Sequence, residues 1–253
     1  MGRVFIKLAY KGTNFFGWQI QPNEPTVQAE IERVLSQLNA NSEVKITGCG
    51  RTDTGVHASE YYAHVNIPFE VSNEKLKFKL NSMLSKDVVV HDIIDVADNA
   101  HARFDADKRT YHYFIHQAKD PFIQNVSWER HGDLDVNKMN EACLVLLKHE
   151  DFECFSKVKT EVNNFNCNVT NAGWVKSDKG FIFTITANRF LRNMVRAIVG
   201  TMIEIGEGKL SLEDFQKILE SNSRSEAGQS VPARGLFLAK IEYPYLKDLI
   251  LDK

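Results

Sequence analysis

The order of strand-like and helix-like segments is the feature that most restricts the fold of this 253-residue chain. Apolar residues at every second position predict strands, and apolar residues recurring every three or four positions predict helices. The first half follows the order β-α-β-β-α-β. The second half repeats that order with one extra helix before its last strand. We therefore expect an α+β protein with two halves, 1–105 and 106–253.

The segment boundaries follow from the periodicity and from the residues that begin and end each run. Thr26, Ser72 and Asp135 each precede a helical pattern and carry the side-chain oxygen that an N-cap requires. Strands are predicted at 3–10, 43–49, 61–69, 88–97, 109–117, 168–177, 180–187 and 235–243. Helices are predicted at 26–39, 72–84, 135–150, 188–206 and 210–221.

The charge balance excludes a polyanion binder that is coated with positive charge, because the net charge is −2. Residues 1–105 carry 11 basic and 13 acidic side chains, and residues 106–253 carry 20 of each. A nucleic-acid-binding surface on this chain would therefore have to gather its basic residues in a cleft, with the acidic residues elsewhere.

The sequence gives no support for a membrane span, for disulfides or for a metal site. No apolar run approaches the ~18 residues of a membrane span, and the N-terminus reads as a strand and lacks a signal-peptide layout. The four cysteines form no Cys-x-x-Cys pair, so we expect free thiols in a reducing cytoplasm. The histidines and cysteines also lack the spacing of a metal site.

The stretch "GCGRTDTGVHA" (48–58) is the strongest candidate for chemistry. Its glycines permit unusual backbone conformations and close approach of a substrate. Arg51 places a positive charge near Asp53 and favours its ionised form, and a positioned carboxylate can act as a nucleophile or a base. A glycine-rich hairpin with a turn aspartate is the structural alternative. "DTG" also occurs in aspartic proteases, but those enzymes need two such carboxylates on an all-β framework.

Two further patterns suggest substrate contacts. Arg189, Arg192 and Arg196 are spaced so that they would line one face of the predicted helix 188–206, where they could contact phosphates or a carboxylate; a solvated helix face is the alternative. Tyr111 lies on the predicted strand 109–117, where it could stack on a base, hold a proton or simply fill the core. His57 and the segment "FFGW" (15–18) are weaker candidates, and the latter is interpreted as a packed turn.

Taken together and in this order, six stretches closely resemble the TruA family of tRNA pseudouridine synthases. The resemblance extends from the first strand to the last, and "GRTDTGVHA" is its most specific part. The family often has alanine where this chain has Thr54, which leaves the carboxylate and its flanking glycines in place. The stretches are "YKGTNFFGWQIQP", "TVQAEIERVL", "GCGRTDTGVHA", "HARFDADKRTYHYFI", "FLRNMVRAIVGTMIEIG" and "ARGLFL".

The resemblance implies a homodimeric enzyme that isomerises uridine to pseudouridine at positions 38, 39 and 40 of the tRNA anticodon stem-loop, without a cofactor or metal. It implies two ferredoxin-like halves, joined through antiparallel sheets, with a central RNA-binding cleft. Its site residues map onto Asp53 as the catalytic residue, Arg51 in the active-site loop, Tyr111 beside the base, Arg196 as the partner of Asp53 and Leu236 in the uracil pocket.

The implied reaction agrees with the residues. Breaking the N1–C1′ bond, turning the base and rejoining it through C5 requires an anionic group and a base that removes the C5 proton. Asp53 supplies the first, and attack on C1′, attack on C6 and removal of a sugar proton all remain open. Tyr111 could take the second role or stack on the flipped base. A non-catalytic RNA-binding protein on the same scaffold is the alternative function, and a binder would have no use for a carboxylate near phosphates.

Overall fold

A computed structural model describes residues 2–157, 164–221 and 223–246. Nine strands and five helices lie within these residues, which confirms the α+β class. The strands are β1 (Arg3–Tyr10), β2 (Thr47–Gly48), β3 (His57–Asn66), β4 (Val88–Asp95), β5 (Lys108–His116), β6 (Trp128–Glu129), β7 (Val169–Ser177), β8 (Gly180–Ala187) and β9 (Leu236–Glu242). The helices are α1 (Val27–Leu38), α2 (Asn73–Met83), α3 (Val136–Leu146), α4 (Met194–Gly206) and α5 (Leu212–Glu220).

Three helices begin where the sequence predicts, because each has a local cap. The side chain of Thr26 accepts a hydrogen bond from the N–H of Ala29, and that of Ser72 accepts from Lys75. Asp135 accepts from the N–H groups of the two residues at the second and third positions of α3. Such bonds satisfy backbone donors that the first helical turn leaves unpaired.

The predicted start of the fourth helix is wrong. The prediction began it at residue 188, but α4 begins at Met194. Its N-cap, Asn193, has a φ of 67°, which is a left-handed conformation that a continuous right-handed helix excludes. Arg189 and Arg192 therefore precede α4 and do not share a helical face with Arg196.

Two strand predictions also differ from the structure. The segment predicted at 43–49 is regular only at Thr47–Gly48, and β3 begins at His57, four residues before its predicted start. The short strand β6 was not predicted; it pairs in parallel with the end of β5, where Ile115 opposes Trp128.

The chain divides into two compact units, residues 1–107 with 238–253 and residues 108–237. In unit 1 the strands pair antiparallel in the order β4-β1-β3-β2. Phe5, Ile6 and Leu8 of β1 are fully buried, and α2 packs on β4. The later part of β9 lies beside β3, where the N–H of Ile241 donates to a carboxylate oxygen of Glu60 at 2.9 Å.

In unit 2, β8 lies between β5 and β7, and both pairings are antiparallel. Tyr113 of β5 opposes Phe183 of β8, and both side chains are fully buried. The helix α3 packs on β7 and contacts α4 and α5. Within the described residues, no helix is both long enough and apolar enough to cross a membrane.

Candidate active site

Asp53 lies in the loop of residues 49–56 that connects β2 to β3. Its side chain is half-buried, whereas those of Arg51 and Thr54 are exposed. The carbonyl of Asp53 accepts a hydrogen bond from the N–H of Val56 at 3.1 Å, and Gly55 turns the chain with a φ of 76°. A tight turn thus brings the carboxylate to the edge of the protein interior.

Three buried aromatic rings form the base on which this loop rests. Trp18 stacks on Tyr61 with ring centroids 4.1 Å apart, and Tyr10 meets Tyr61 edge-on at 5.6 Å. All three side chains are nearly or fully inaccessible to solvent. Their packing defines a rigid surface beneath residues 49–56, because aromatic pairs of this geometry are mutually stabilising.

Hydrogen bonds fasten the loop to that surface at several points. The hydroxyl of Tyr10 pairs with the hydroxyl of Thr52 at 2.8 Å, and the hydroxyl of Tyr61 donates to the carbonyl of Gly50. The N–H of Gly55 donates to the carbonyl of Phe15 at 3.2 Å. The backbone on both sides of Arg51 is therefore held by protein groups.

Close backbone contact between the loop and the segment after β1 depends on glycine. A Cβ on Gly17 would lie 2.2 Å from the carbonyl oxygen of Thr52, and the φ of Gly17 is 86°. A Cβ on Gly12 would lie 2.0 Å from the carbonyl oxygen of Val56. Any larger residue at either position would separate the two segments, so the predicted packed turn "FFGW" supports the Asp53 loop directly.

His57 has a structural place in this arrangement. Its ring is fully buried, and its Nδ1 accepts a hydrogen bond from the N–H of Gly12 at 3.0 Å. A nitrogen that accepts this bond carries no proton, which assigns the neutral Nε2–H tautomer. His57 thus ties the start of β3 to the segment that supports the loop.

In unit 2, Tyr111 lies on β5 and is half-buried. Its ring meets Phe190 edge-on, with centroids 5.1 Å apart and planes at 88°. The next residue on the same strand face is Tyr113, which is fully buried and donates its hydroxyl to the carbonyl of Pro232 at 2.8 Å. Burial raises the pKa of Tyr113, while Arg196 and Arg234 lower it, so Tyr113 remains a protonated donor.

Arg196 and Leu236 are brought together by the segment 231–236, which crosses from α4 to β5. The Nε of Arg196 donates to the carbonyl of Val231 at 2.7 Å, and Leu236 is buried at the other end of the segment. Between them, Gly235 lies so close to Tyr113 that a Cβ would be 2.6 Å from its ring. Arg196 and Leu236 are thus linked through the segment 231–236, and that segment packs against Tyr113 of β5.

Arg189 and Arg192 lie in the chain between β8 and α4. Arg189 is half-buried and donates to the side-chain oxygen of Asn164 at 3.2 Å. Arg192 is exposed, and its carbonyl accepts from the N–H of Lys157 at 3.0 Å. Their roles as phosphate contacts stay predictions.

The supporting tyrosines were missed by the sequence analysis. Tyr10 and Tyr61 lie on β1 and β3, in segments that read as ordinary strands, and nothing in the local pattern shows that their hydroxyls meet the loop. The clearest available signal was the pair of glycines among aromatic residues in "YKGTNFFGW" (10–18).

Within the described residues, no group of three or more histidine, cysteine, aspartate or glutamate side chains is placed to hold a metal ion. All four cysteines are buried free thiols. Burial raises the pKa of Cys143 and Cys154 to about 12 and that of Cys167 to about 11, so these three are not nucleophiles at neutral pH.

A family model described as tRNA pseudouridine synthase matches residues 7–105 and 143–244. The chain belongs to this family. The first matched stretch of the tRNA pseudouridine synthase model contains Arg51 and Asp53, and the second contains Arg189, Arg192, Arg196 and Leu236. Tyr111 falls between the two stretches.

Individual members of the tRNA pseudouridine synthase family match over nearly the whole chain. A tRNA pseudouridine synthase A of Porphyromonas gingivalis is 47% identical over 255 residues, which cover 99% of this chain and 100% of that protein. One of Parabacteroides distasonis is 48% identical over 245 residues, covering 96% and 97%. One of a Geobacillus species is 37% identical over 243 residues, covering 95% and 98%. These matches confirm the resemblance seen in the sequence.

Proposed function

We propose that this tRNA pseudouridine synthase isomerises uridine to pseudouridine at positions 38, 39 and 40 of the tRNA anticodon stem-loop, with Asp53 as the catalytic nucleophile. The observation that carries this proposal is the half-buried carboxylate on a glycine-rich loop fastened to buried aromatic residues. A fixed carboxylate needs little reorganisation when the substrate binds, and positioning of this kind supplies a large part of catalysis.

The chemistry is balanced within the substrate and the protein. The N1–C1′ bond breaks, the detached uracil turns, and a C5–C1′ bond forms. C5 then loses its proton, and N1 gains one. Asp53 starts the reaction by attack on C1′, by attack on C6 or by removal of a sugar proton. The ester bond formed to C1′ or C6 then breaks, or the proton returns to the sugar, so that the carboxylate is regenerated.

The other predicted site residues are proposed as substrate contacts. Tyr111 stacks on the flipped base or takes the C5 proton. Leu236 lines an apolar pocket that keeps water from the detached uracil. RNA phosphates are contacted by Arg189 and Arg192. Arg51 contacts RNA phosphates or orients the loop of residues 49–56. Arg196 supplies a guanidinium to the reacting anion.

The fold supports this assignment. We propose that unit 1 is ferredoxin-like, because its β-α-β-β-α-β order and its antiparallel pairing β4-β1-β3-β2 are those of that fold. The elements of unit 2 follow the order β5-β6-α3-β7-β8-α4-α5, and β9 begins in unit 2 and continues into unit 1. The homodimer, the cytoplasmic location and the pairing of Arg196 with Asp53 stay predictions.

The decisive test is tritium release from tRNA that carries C5-labelled uridine. Asp53→Asn keeps the size of the side chain but removes its charge, so we expect tritium release to be lost while tRNA binding is retained or becomes tighter. Thr54→Ala is the matched control in the same loop, since its side chain is exposed, and it should retain turnover. If Asp53→Asn releases tritium at near the wild-type rate, Asp53 is not catalytic; if the wild type releases none, the chain is an RNA-binding protein.

A further inference from the structure

Two buried tyrosine hydroxyls hold the active-site loop on either side of Arg51. The hydroxyl of Tyr61 donates to the carbonyl of Gly50, immediately before Arg51. The hydroxyl of Tyr10 pairs with that of Thr52, immediately after it and adjacent to Asp53. These side chains come from different strands, β3 and β1, whose own positions are fixed by pairing with each other.

Neither hydroxyl competes with bulk water. Tyr10 is 4% exposed, Tyr61 is 0% exposed and Thr52 is 9% exposed. Burial, followed by the charges of Cys49 and Tyr10, raises the pKa of Tyr61 well above its usual value, so its hydroxyl stays a donor throughout the physiological range. A hydrogen bond between buried groups is costly to lose, because the remaining partner cannot turn to solvent.

The neighbouring glycines show that the loop is fitted to these tyrosines. A Cβ on Gly48 would lie 2.2 Å from the hydroxyl of Tyr61 and 2.5 Å from the indole of Trp18. The carbonyl of Thr52 accepts from the N–H of Trp18 at 3.4 Å. The chain at Gly48 and at Thr52 thus passes close to Trp18 and Tyr61.

We propose that Tyr10 and Tyr61 are positioning residues for the isomerisation: their hydroxyls hold the side chain of Thr52 and the carbonyl of Gly50, on either side of Arg51, and thereby place the carboxylate of Asp53 for reaction. This proposal rests on the catalytic role proposed for Asp53. Neither tyrosine touches the reacting atoms in this account. Each tyrosine acts through the loop. The hydroxyl of Tyr10 holds Thr52, which is the residue directly before Asp53.

A positioning role has a kinetic signature that a purely structural role lacks. A displacement of about 1 Å at a reacting group can lower a rate by about 100-fold. A more mobile Asp53 would slow the chemical step while leaving most RNA contacts in place. Loss of a tyrosine hydroxyl should therefore lower kcat and leave KM nearly unchanged.

The test is a double-mutant cycle on the full-length enzyme with Tyr10→Phe, Thr52→Val and the two combined. Each single variant should lower kcat about tenfold with KM within about twofold of wild type, and the double variant should be no slower than the slower single variant, since both remove the same bond. Thr52→Ser keeps the hydroxyl and should restore kcat. Tyr61→Phe should lower kcat to a similar extent.

Tyr243→Phe is the matched control, because it removes another buried hydroxyl of unit 1, one that donates to the carbonyl of Ala102. It should lower the free energy of unfolding by an amount like that of Tyr10→Phe without the loss in kcat. The proposal is overturned if Tyr10→Phe keeps wild-type kcat, if the two single effects multiply in the double variant, or if Tyr243→Phe slows the reaction equally.

A different result would refute the proposed function. Retained turnover in Asp53→Asn refutes the catalytic assignment whatever the tyrosine variants do. Loss of turnover in Asp53→Asn together with normal kcat in Tyr10→Phe and Tyr61→Phe refutes only the positioning role.

Discussion

Arg196 and Val231 are joined by two hydrogen bonds that run in opposite directions. The Nε of Arg196 donates to the carbonyl of Val231 at 2.7 Å, and the N–H of Val231 donates to the carbonyl of Arg196 at 3.2 Å. The first bond holds the guanidinium through its Nε. The second fixes the start of the segment that leads to Leu236.

This geometry predicts that lysine cannot replace Arg196. Arg196→Lys keeps the positive charge but loses the planar donor set and the Nε bond, so we expect kcat/KM to fall at least tenfold in a steady-state tritium-release assay. The salt dependence of tRNA binding should stay the same, because the charge is unchanged. Arg33→Lys, at an exposed position on α1, is the control and should behave as wild type; wild-type kcat/KM in Arg196→Lys would show that charge alone suffices.

Gly17→Ala should damage both stability and turnover. The new Cβ would lie 2.2 Å from the carbonyl oxygen of Thr52, at a φ of 86°. We expect the free energy of unfolding in urea to fall by about 2–3 kcal/mol, since strain and overpacking each cost about 1–3 kcal/mol. Gly50→Ala in the neighbouring loop is the control for stability, because its Cβ would meet nothing within 4 Å. Equal stability of the two variants would contradict the close packing described for Gly17.

The helix starts that the sequence predicted well are those set by hydrogen bonds between residues close together in the chain. The caps at Thr26, Ser72 and Asp135 bond to residues two or three positions away, so the pattern contains the information. The start of α4 is decided at long range. Asn193, whose left-handed backbone precedes the helix, donates its side-chain amide to the hydroxyl of Ser230 at 2.6 Å, and no short window of sequence contains that contact.

The same distinction applies to the site. The glycines and charges that draw attention to Asp53 lie within eleven residues, "GCGRTDTGVHA", so a local reading finds them. The groups that hold the loop are 42 residues away in the case of Tyr10 and Thr52 and come from the side chains of two strands. A buried tyrosine on a strand is ordinary in sequence, and only the sheet register shows which loop its hydroxyl reaches.

His64 should make stability fall in mild acid. Its Nδ1 accepts a hydrogen bond from the N–H of Ala102 at 3.1 Å, and burial, followed by the charges of His101 and Arg3, lowers its pKa from 6.5 to about 4. Between these values the unfolded chain binds a proton that the folded protein does not. Stability from this group is therefore present above pH 6.5 and is lost as the pH falls towards 4, by at most about 3 kcal/mol, since a pKa difference of one between the two states corresponds to about 1.4 kcal/mol.

His64→Asn offers a test, because an amide oxygen can accept from Ala102 but does not titrate. The free energy of unfolding of this variant, measured in urea at several pH values, should vary less between pH 4 and 6.5 than that of the wild type. An unchanged pH profile would mean that groups other than His64 account for the acid sensitivity.

Arg189→Ala should make tRNA binding less sensitive to salt. Arg189 is half-buried in the chain before α4 and donates to the side chain of Asn164, a neutral partner that leaves its charge uncompensated by that contact. If the guanidinium contacts one phosphate, its loss should reduce the slope of log K against log salt concentration by about 0.7–0.9, since each neutralised phosphate releases bound counterions.

Lys217→Ala is the control, because Lys217 is paired with Asp214 at 2.7 Å on α5, and its slope should match the wild type. The measurement is tRNA affinity over a salt series, and a wild-type slope in Arg189→Ala would place Arg189 away from the RNA backbone.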